Sequence, residues 1–309
     1  MQRMANTQAL LFLYALTGVL MRRIGILKAE TRGAFVSLFM NITLPCMILA
    51  SFDQVFTSDQ LRDAGTVLLL STGVLVLSGL TAFLLFRKKP DAERSVLYFA
   101  TLFSNSGNAG MPVASLVYGP AGVFYASIYL IPARLAMYTL GVALYAGKPK
   151  DKGAWAGIWT LLKIPTVAVI PLGLLLMLSG HTLPVVLGDA VRNIGDMTAP
   201  LAMMLIGASL ADGKPRELLE RPVLWISFVR LILMPALCWG LLSLAGMQSL
   251  PVAVTVTLVA MPVAANTAIL AEQYGADNRF ASRCVFLSTV LSLVTVPAIT
   301  LLMELTKGI

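Results

Sequence analysis

The stretch Ser104–Pro112 reads Ser-Asn-Ser-Gly-Asn-Ala-Gly-Met-Pro, and it sits inside an apolar run from Ser95 to Tyr118. Without that interruption the run would be an ordinary bilayer-spanning helix, which needs about 20 apolar residues. Backbone groups left without partners in hydrocarbon cost several kcal/mol each, so a broken helix at this depth requires protein or a water-filled cavity around it. Gly107 and Gly110 permit unusual backbone angles, and Pro112 removes a donor and clashes with the preceding turn. The fourth span is therefore expected to unwind near Asn105–Gly110. A second interruption, Met261-Pro-Val-Ala-Ala-Asn-Thr267, follows about 155 residues later. Broken spans in corresponding halves of a chain are the best sequence pointer to the binding site of a transporter.

The setting of these breaks is a bilayer. Of the 309 residues, 58% are hydrophobic and 12% charged, and the mean hydropathy is +0.83. A soluble domain carries about twice that share of charge. The apolar runs are too long for the strands of a membrane barrel, about 9–11 residues each. The fold class expected is an all-α polytopic membrane protein. Ten spans fit: approximately 7–24, 34–52, 64–86, 95–118, 121–146, 164–180, 191–210, 223–246, 251–274 and 280–304. The first reads as a transmembrane helix and not a cleaved leader, because Arg22 and Arg23 follow its apolar run. A segment from Trp155 to Lys163 reads as an interfacial helix.

Basic residues test this span count. Of 23 Lys and Arg, sixteen fall in the loops Arg22–Arg32, Arg87–Arg94, Lys148–Lys152, Lys214–Arg221 and Arg279–Arg283, all following odd-numbered spans. The opposite side holds Arg3, Arg62, Arg192 and Lys307. An error of one span would scramble this alternation. The positive-inside rule then makes the basic loops cytoplasmic and puts both termini outside. The same rule accounts for the net charge of +8, so nucleic acid is not an expected partner.

The two halves repeat. Asn41-Ile-Thr-Leu-Pro45 followed by Cys-Met-Ile-Leu matches Met197-Thr-Ala-Pro200 followed by Leu-Ala-Met-Met-Leu, and Tyr118-Gly119 matches Tyr274-Gly275, at offsets of 155 and 156. Each half holds five spans, an odd number, so the second half enters from the opposite side. This is the inverted-repeat plan of secondary transporters. Residues 1–146 form the first repeat, 147–163 a cytoplasmic connection, and 164–309 the second repeat, with panel and crossover-scaffold subdomains interleaved across both.

Candidate site residues follow from what is costly in a membrane. Asn105, Gly107, Asn108, Gly110 and Pro112 belong to the first break, and Pro262, Asn266 and Thr267 to the second. If the two spans cross at the midplane, half-helix N-termini offer free N–H groups and partial positive charge to an anion such as a carboxylate. The bland reading is that Pro, Gly and Asn serve helix packing, as they do in many membrane helices. Arg134 and Arg230 lie within spans, where an arginine costs about 2.5–3.5 kcal/mol to insert. A guanidinium fork suits carboxylates; the competing readings are snorkelling for Arg230 and a structural partnership, with Asp196 for instance, for Arg134. Asn41 and Thr43 are added as polar members of the Thr-x-Pro motif. Asp196 is the candidate coupling-ion residue, and Glu272 and Asp53 read as boundary carboxylates. Cys46, Cys238 and Cys284 lie within apolar runs without metal-ligand spacing. No catalytic residue, metal site or cofactor is expected: His-Glu-x-x-His and phosphate-loop motifs are absent, and Ser209 has no base to activate it.

These motifs, with Arg230 and Pro235, resemble the auxin efflux carrier family, and more closely its bacterial members, often called malonate or malate transporters. The resemblance covers essentially the whole chain. It implies ten helices in two inverted five-helix repeats, with crossed discontinuous fourth and ninth helices, as in bile-acid sodium symporters and sodium/proton antiporters. It puts Asn105 and Gly110-Met-Pro112 on the first crossover helix and Pro262 with Asn266 on the second. The middle connection, about Gly147–Gly153, is short, unlike the long cytoplasmic loop of many plant auxin carriers, which puts auxin itself in doubt as substrate. The function expected is a secondary carrier for a small organic acid in the bacterial inner membrane, driven by its own gradient, the membrane potential, or a coupled proton or sodium ion. Expected partners are the organic anion and the bilayer, with a homodimer as a candidate assembly. The alternatives are a sodium-coupled symporter of another organic anion and a membrane receptor that binds a carboxylate without moving it.

Overall fold

A computed structural model describes residues 13–14, 16–53, 57–146, 165–211 and 220–307. The connection at 147–163, with its expected interfacial helix, lies outside the described residues. Every regular element described is a helix: α1 (16–23), α2 (Ala29–Leu38), α3 (Leu44–Phe52), α4 (Ser58–Phe86), α5 (Asp91–Leu102), α6 (Met111–Ala136), α7 (Val142–Ala146), α8 (Pro165–Ser179), α9 (Val185–Asp196), α10 (Thr198–Ala211), α11 (Arg221–Phe228), α12 (Met234–Leu244), α13 (Leu250–Val259), α14 (Asn266–Gln273) and α15 (Asn278–Lys307). Among the described residues, five helical stretches have the length and apolarity to cross a membrane: Glu30–Phe52, Ser58–Phe86, Ser106–Tyr145, Arg221–Leu244 and Asn278–Leu305. The chain is a polytopic membrane protein.

Local chemistry explains where these helices begin and bend. Thr57 accepts from Gln60 N while the Gln60 side chain accepts from Thr57 N, a reciprocal cap that starts α4. Three π turns, Phe39–Thr43, Ser106–Gly110 and Val229–Leu233, each end two residues before a proline: Pro45, Pro112 and Pro235. Proline cannot donate to the carbonyl four residues back, and its ring crowds that carbonyl. Widening the preceding turn relieves the crowding and keeps the helix going. The expectation of unwinding over Asn105–Gly110 is corrected accordingly: Ser106–Gly110 is a π turn, and the chain leaves the helix just before it, at Phe103–Asn105.

The second interruption is longer, from Ala260 to Ala265 between α13 and α14. The two breaks meet. Ser104 and Val263 form an isolated antiparallel bridge. Asn105 N donates to Pro262 O at 2.8 Å, and Ala264 N donates to Phe103 O at 3.2 Å. Ser104 Oγ donates to Leu258 O at 2.9 Å, and Val263 N donates to Ser288 Oγ at 3.1 Å. Each break thereby satisfies backbone groups that hydrocarbon could not.

Two buried apolar clusters flank this junction. One joins α2 and α3 to α6 and α10, with Phe52 packed edge-on to Phe124 at 5.4 Å between centroids. The other joins α5 to α11–α13 and α15 through Phe86, Leu97, Val229, Val256 and Cys284. Both draw residues from the two halves of the chain.

Among the described residues, four of the five positive-φ glycines fall into two pairs. Gly25 and Gly180 are 155 residues apart, and Gly119 and Gly275 are 156 apart; all four have φ between 67° and 81°. Glycine is the residue that adopts this left-handed conformation without strain. Gly119, with ψ of −156°, breaks the long Ser106–Tyr145 stretch into two segments.

Candidate functional site

Where the breaks meet, a narrow cleft is lined from three sides. The first break contributes Ser104, Asn105, Ser106, Gly107 and Asn108; the second contributes Ala264, Ala265 and Asn266; α6 and the turn after it contribute Tyr129, Leu130, Ala133, Arg134 and Met137. Leu75 of α4 closes part of the wall.

The helix geometry charges this cleft. Ser106–Gly110 and α14 both begin at it, which brings the positive ends of their dipoles to the cleft, while Thr267 N and Ala268 N in the first turn of α14 donate to Ala264 O and Ala265 O. The guanidinium of Arg134 adds a full charge, lying so close over Gly107 that a Cβ there would overlap Nη2. Glycine at 107 is what admits the arginine. Two helix N-termini and a guanidinium concentrate positive potential at one place, which suits an anion.

Carboxamides supply orientation. Asn105 is the residue before the π turn, yet its side chain makes no capping hydrogen bond. Asn108 Oδ1 is buried without a hydrogen-bond partner. Asn266 Nδ2 donates to Met137 Sδ at 3.2 Å, a weak acceptor. Carboxamides around a cationic centre can follow the two oxygens of a carboxylate without adding charge.

Of the residues expected from the sequence, Asn105, Gly107, Asn108, Arg134 and Asn266 come together here. The others lie outside the lining. Gly110 is buried where the breaks touch, and a Cβ there would meet Leu258 Cδ2 at 2.7 Å. Pro112 is buried behind the π turn, and Pro262 supplies the carbonyl that accepts from Asn105. Thr267 is buried; its carbonyl accepts from Tyr145 Oη at 3.2 Å. Thr43 is buried with its hydroxyl on Phe39 O, and exposed Asn41 donates to Ser37 Oγ within its own helix. Asp196 is exposed at the end of α9. Arg230 is buried in a nest of backbone carbonyls and does not line the cleft. Asp53 is buried; its carboxylate accepts from Leu183 N at 2.7 Å and pairs with Arg192 at 3.5 Å.

Sequence reasoning missed Tyr129, Leu130, Ala133 and Met137. Helical spacing held the signal: Leu130 and Met137 lie four before and three after Arg134 and share its face. Ser104 also lines the cleft, its hydroxyl held on Leu258 O.

A profile of the membrane transport protein family matches residues 6–300. Two relatives align over nearly the full length. An "Uncharacterized transporter" of Methanothermobacter thermautotrophicus is 27% identical over 305 residues, covering 95% of this chain and 97% of the relative. A "Putative malonate transporter" of Rhizobium meliloti is 25% identical over 294 residues, covering 93% of this chain and 90% of the relative.

Proposed function

The chain belongs to the membrane transport protein family, the auxin efflux carrier group its motifs resemble, and from that premise we propose that it is a secondary carrier for a small organic acid anion. One observation carries the reading: Arg134, the Asn105, Asn108 and Asn266 carboxamides and two half-helix N-termini converge on one cleft inside a membrane protein. A mono- or dicarboxylate such as malonate or malate matches that chemistry, and the name of the Rhizobium relative points the same way.

The architecture we infer has ten spans in two inverted five-helix repeats, with discontinuous fourth and ninth spans crossing near the midplane. The paired glycines at offsets of 155 and 156 support the repeat, and the hydrogen-bonded meeting of the breaks supports the crossing. Transport then proceeds by alternating access. The crossed helices carry the site past a panel built from the other helices. The basic loops face the cytoplasm of a bacterial inner membrane, with both termini outside.

Purified protein in liposomes is expected to take up or exchange labelled malonate or malate, and Asn105→Ala and Asn266→Ala are expected to reduce uptake with expression intact. Undiminished transport in both variants sinks the site assignment. A cysteine placed in the Arg87–Arg94 loop, in a background lacking the native cysteines, is expected to resist impermeant thiol reagents in spheroplasts. Rapid labelling from outside reverses the orientation.

A further inference from the structure

The cleft uses the N-terminal sides of the two breaks. Their C-terminal sides point elsewhere, and they converge on Arg230. Helix α5 ends at Leu102 and α13 at Val259. The last carbonyls of a helix have no intrahelical donor, and they carry the negative end of its dipole. Two such ends brought together make a cage of oxygen atoms with negative potential and no solvent. Half-helix C-termini and unwound carbonyls of this kind are where coupled carriers hold a monovalent cation.

Here the protein's own side chain holds the cage. Arg230 Nη1 donates to Thr101 O at 2.9 Å, Nη2 to Val259 O at 2.9 Å, and Nε to Met261 O at 3.3 Å. One guanidinium thus serves both breaks. It is 1% exposed, and no carboxylate among the described residues pairs with it, so the carbonyl oxygens are its counter-charge. Its position in the π turn Val229–Leu233, ahead of Pro235, sets its reach. The repeat offsets of 155 and 156 place Leu75 and Val74 at the matching positions of the first half. A single cation therefore answers two helix ends, and the repeat is broken at this residue.

We propose that Arg230 is a built-in cation: its guanidinium occupies the carbonyl cage in which a coupling sodium ion would otherwise sit, so the crossover takes no monovalent cation from solution. This rests on the crossed-helix reading above and narrows it. It removes sodium bound at the crossover as the driving ion, leaving the substrate gradient, the membrane potential or a proton carried elsewhere.

The test needs no substrate, so its failure is separable from failure of the transport reading. Thermal unfolding of the purified full chain is followed in sodium, potassium and N-methylglucamine chlorides at constant ionic strength. The wild type is expected to unfold at one temperature in all three. Arg230→Ala is expected to unfold several degrees lower, and to recover part of that loss as sodium or millimolar methylguanidinium is added, because a ligand of the folded state raises its apparent stability. Arg230→Lys, which keeps a charge in the cage, is expected to fold, to unfold at an intermediate temperature and to ignore both additives. Sodium-specific stabilisation of the wild type or of Arg230→Lys overturns the proposal. So does a folded Arg230→Ala that responds to neither additive. If Arg230→Ala yields no folded protein, the wild type and Arg230→Lys still decide.

Discussion

Arg134 and Arg230 are both arginines inside apolar spans, and by sequence they are near-equivalents. The structure puts them on opposite electrical sides of the same junction. Arg230 faces helix C-termini, where negative dipole ends attract it, and three carbonyls bind its guanidinium. Arg134 lies by helix N-termini, where the dipole ends share its sign. The first arrangement is self-sufficient: charge and counter-charge are both in the chain. The second gathers positive potential around a cleft, which suits an anion. A broken helix pair thus presents helix C-termini on one side, closed by Arg230, and helix N-termini on the other, at the cleft.

The sharpest way to break this contrast is to remove each arginine in turn. Arg134→Ala is expected to cut liposome uptake by about 10- to 100-fold, the scale of a lost charge-assisted hydrogen bond, with the unfolding temperature little changed. Arg230→Ala is expected to do the reverse in order of severity: stability falls first, since truncation leaves buried carbonyls unpaired at about 1–3 kcal/mol per group. Uptake kinetics and thermal unfolding on both variants decide it. If Arg134→Ala proves the less stable of the two, the division into structural and receptive faces fails.

A smaller effect is expected at the carboxamides. Asn105→Ala and Asn266→Ala should each weaken apparent substrate affinity by about 5-fold, the value of a neutral hydrogen bond near 1 kcal/mol, read as a rise in KM. Gly107→Ala is expected to cost less. The new Cβ overlaps Arg134 Nη2, but that is the far end of a flexible side chain, so the guanidinium shifts. KM should rise a few-fold while the unfolding temperature stays within a few degrees. The smallest change is expected at Asn41→Ala. That side chain is exposed and, among the described residues, bonds Ser37 of its own helix, so stability should move by no more than about 0.5 kcal/mol and uptake not at all. A large loss at Asn41 would show that the site extends beyond the cleft.

Much of this was legible beforehand because membranes make local rules strict. Apolar length marked the spans, and Pro112 and Pro262 marked both breaks. The Tyr-Gly pairs forecast matching turns, and Gly119 and Gly275 do share a positive φ. The form of the first break was not legible. Proline predicts trouble four residues upstream, but whether the turn widens or unwinds depends on what the freed carbonyls can reach. Here the second break supplies partners to the first: Pro262 O for Asn105 N, and Ala264 N for Phe103 O.

The chain's sequence alone determined that it is helical, lies in a bilayer, and carries two polar interruptions about 155 residues apart, because each follows from the cost of unpaired polar groups in hydrocarbon. Only the tertiary structure decided which polar groups share a site. Gly107 and Arg134 are 27 positions apart, Asn105 and Asn266 far more, and nothing local brings them together. It also decided the opposite fates of the two arginines. A residue's type states its charge, but the sign of the potential it meets is set by which ends of which helices the fold delivers to it.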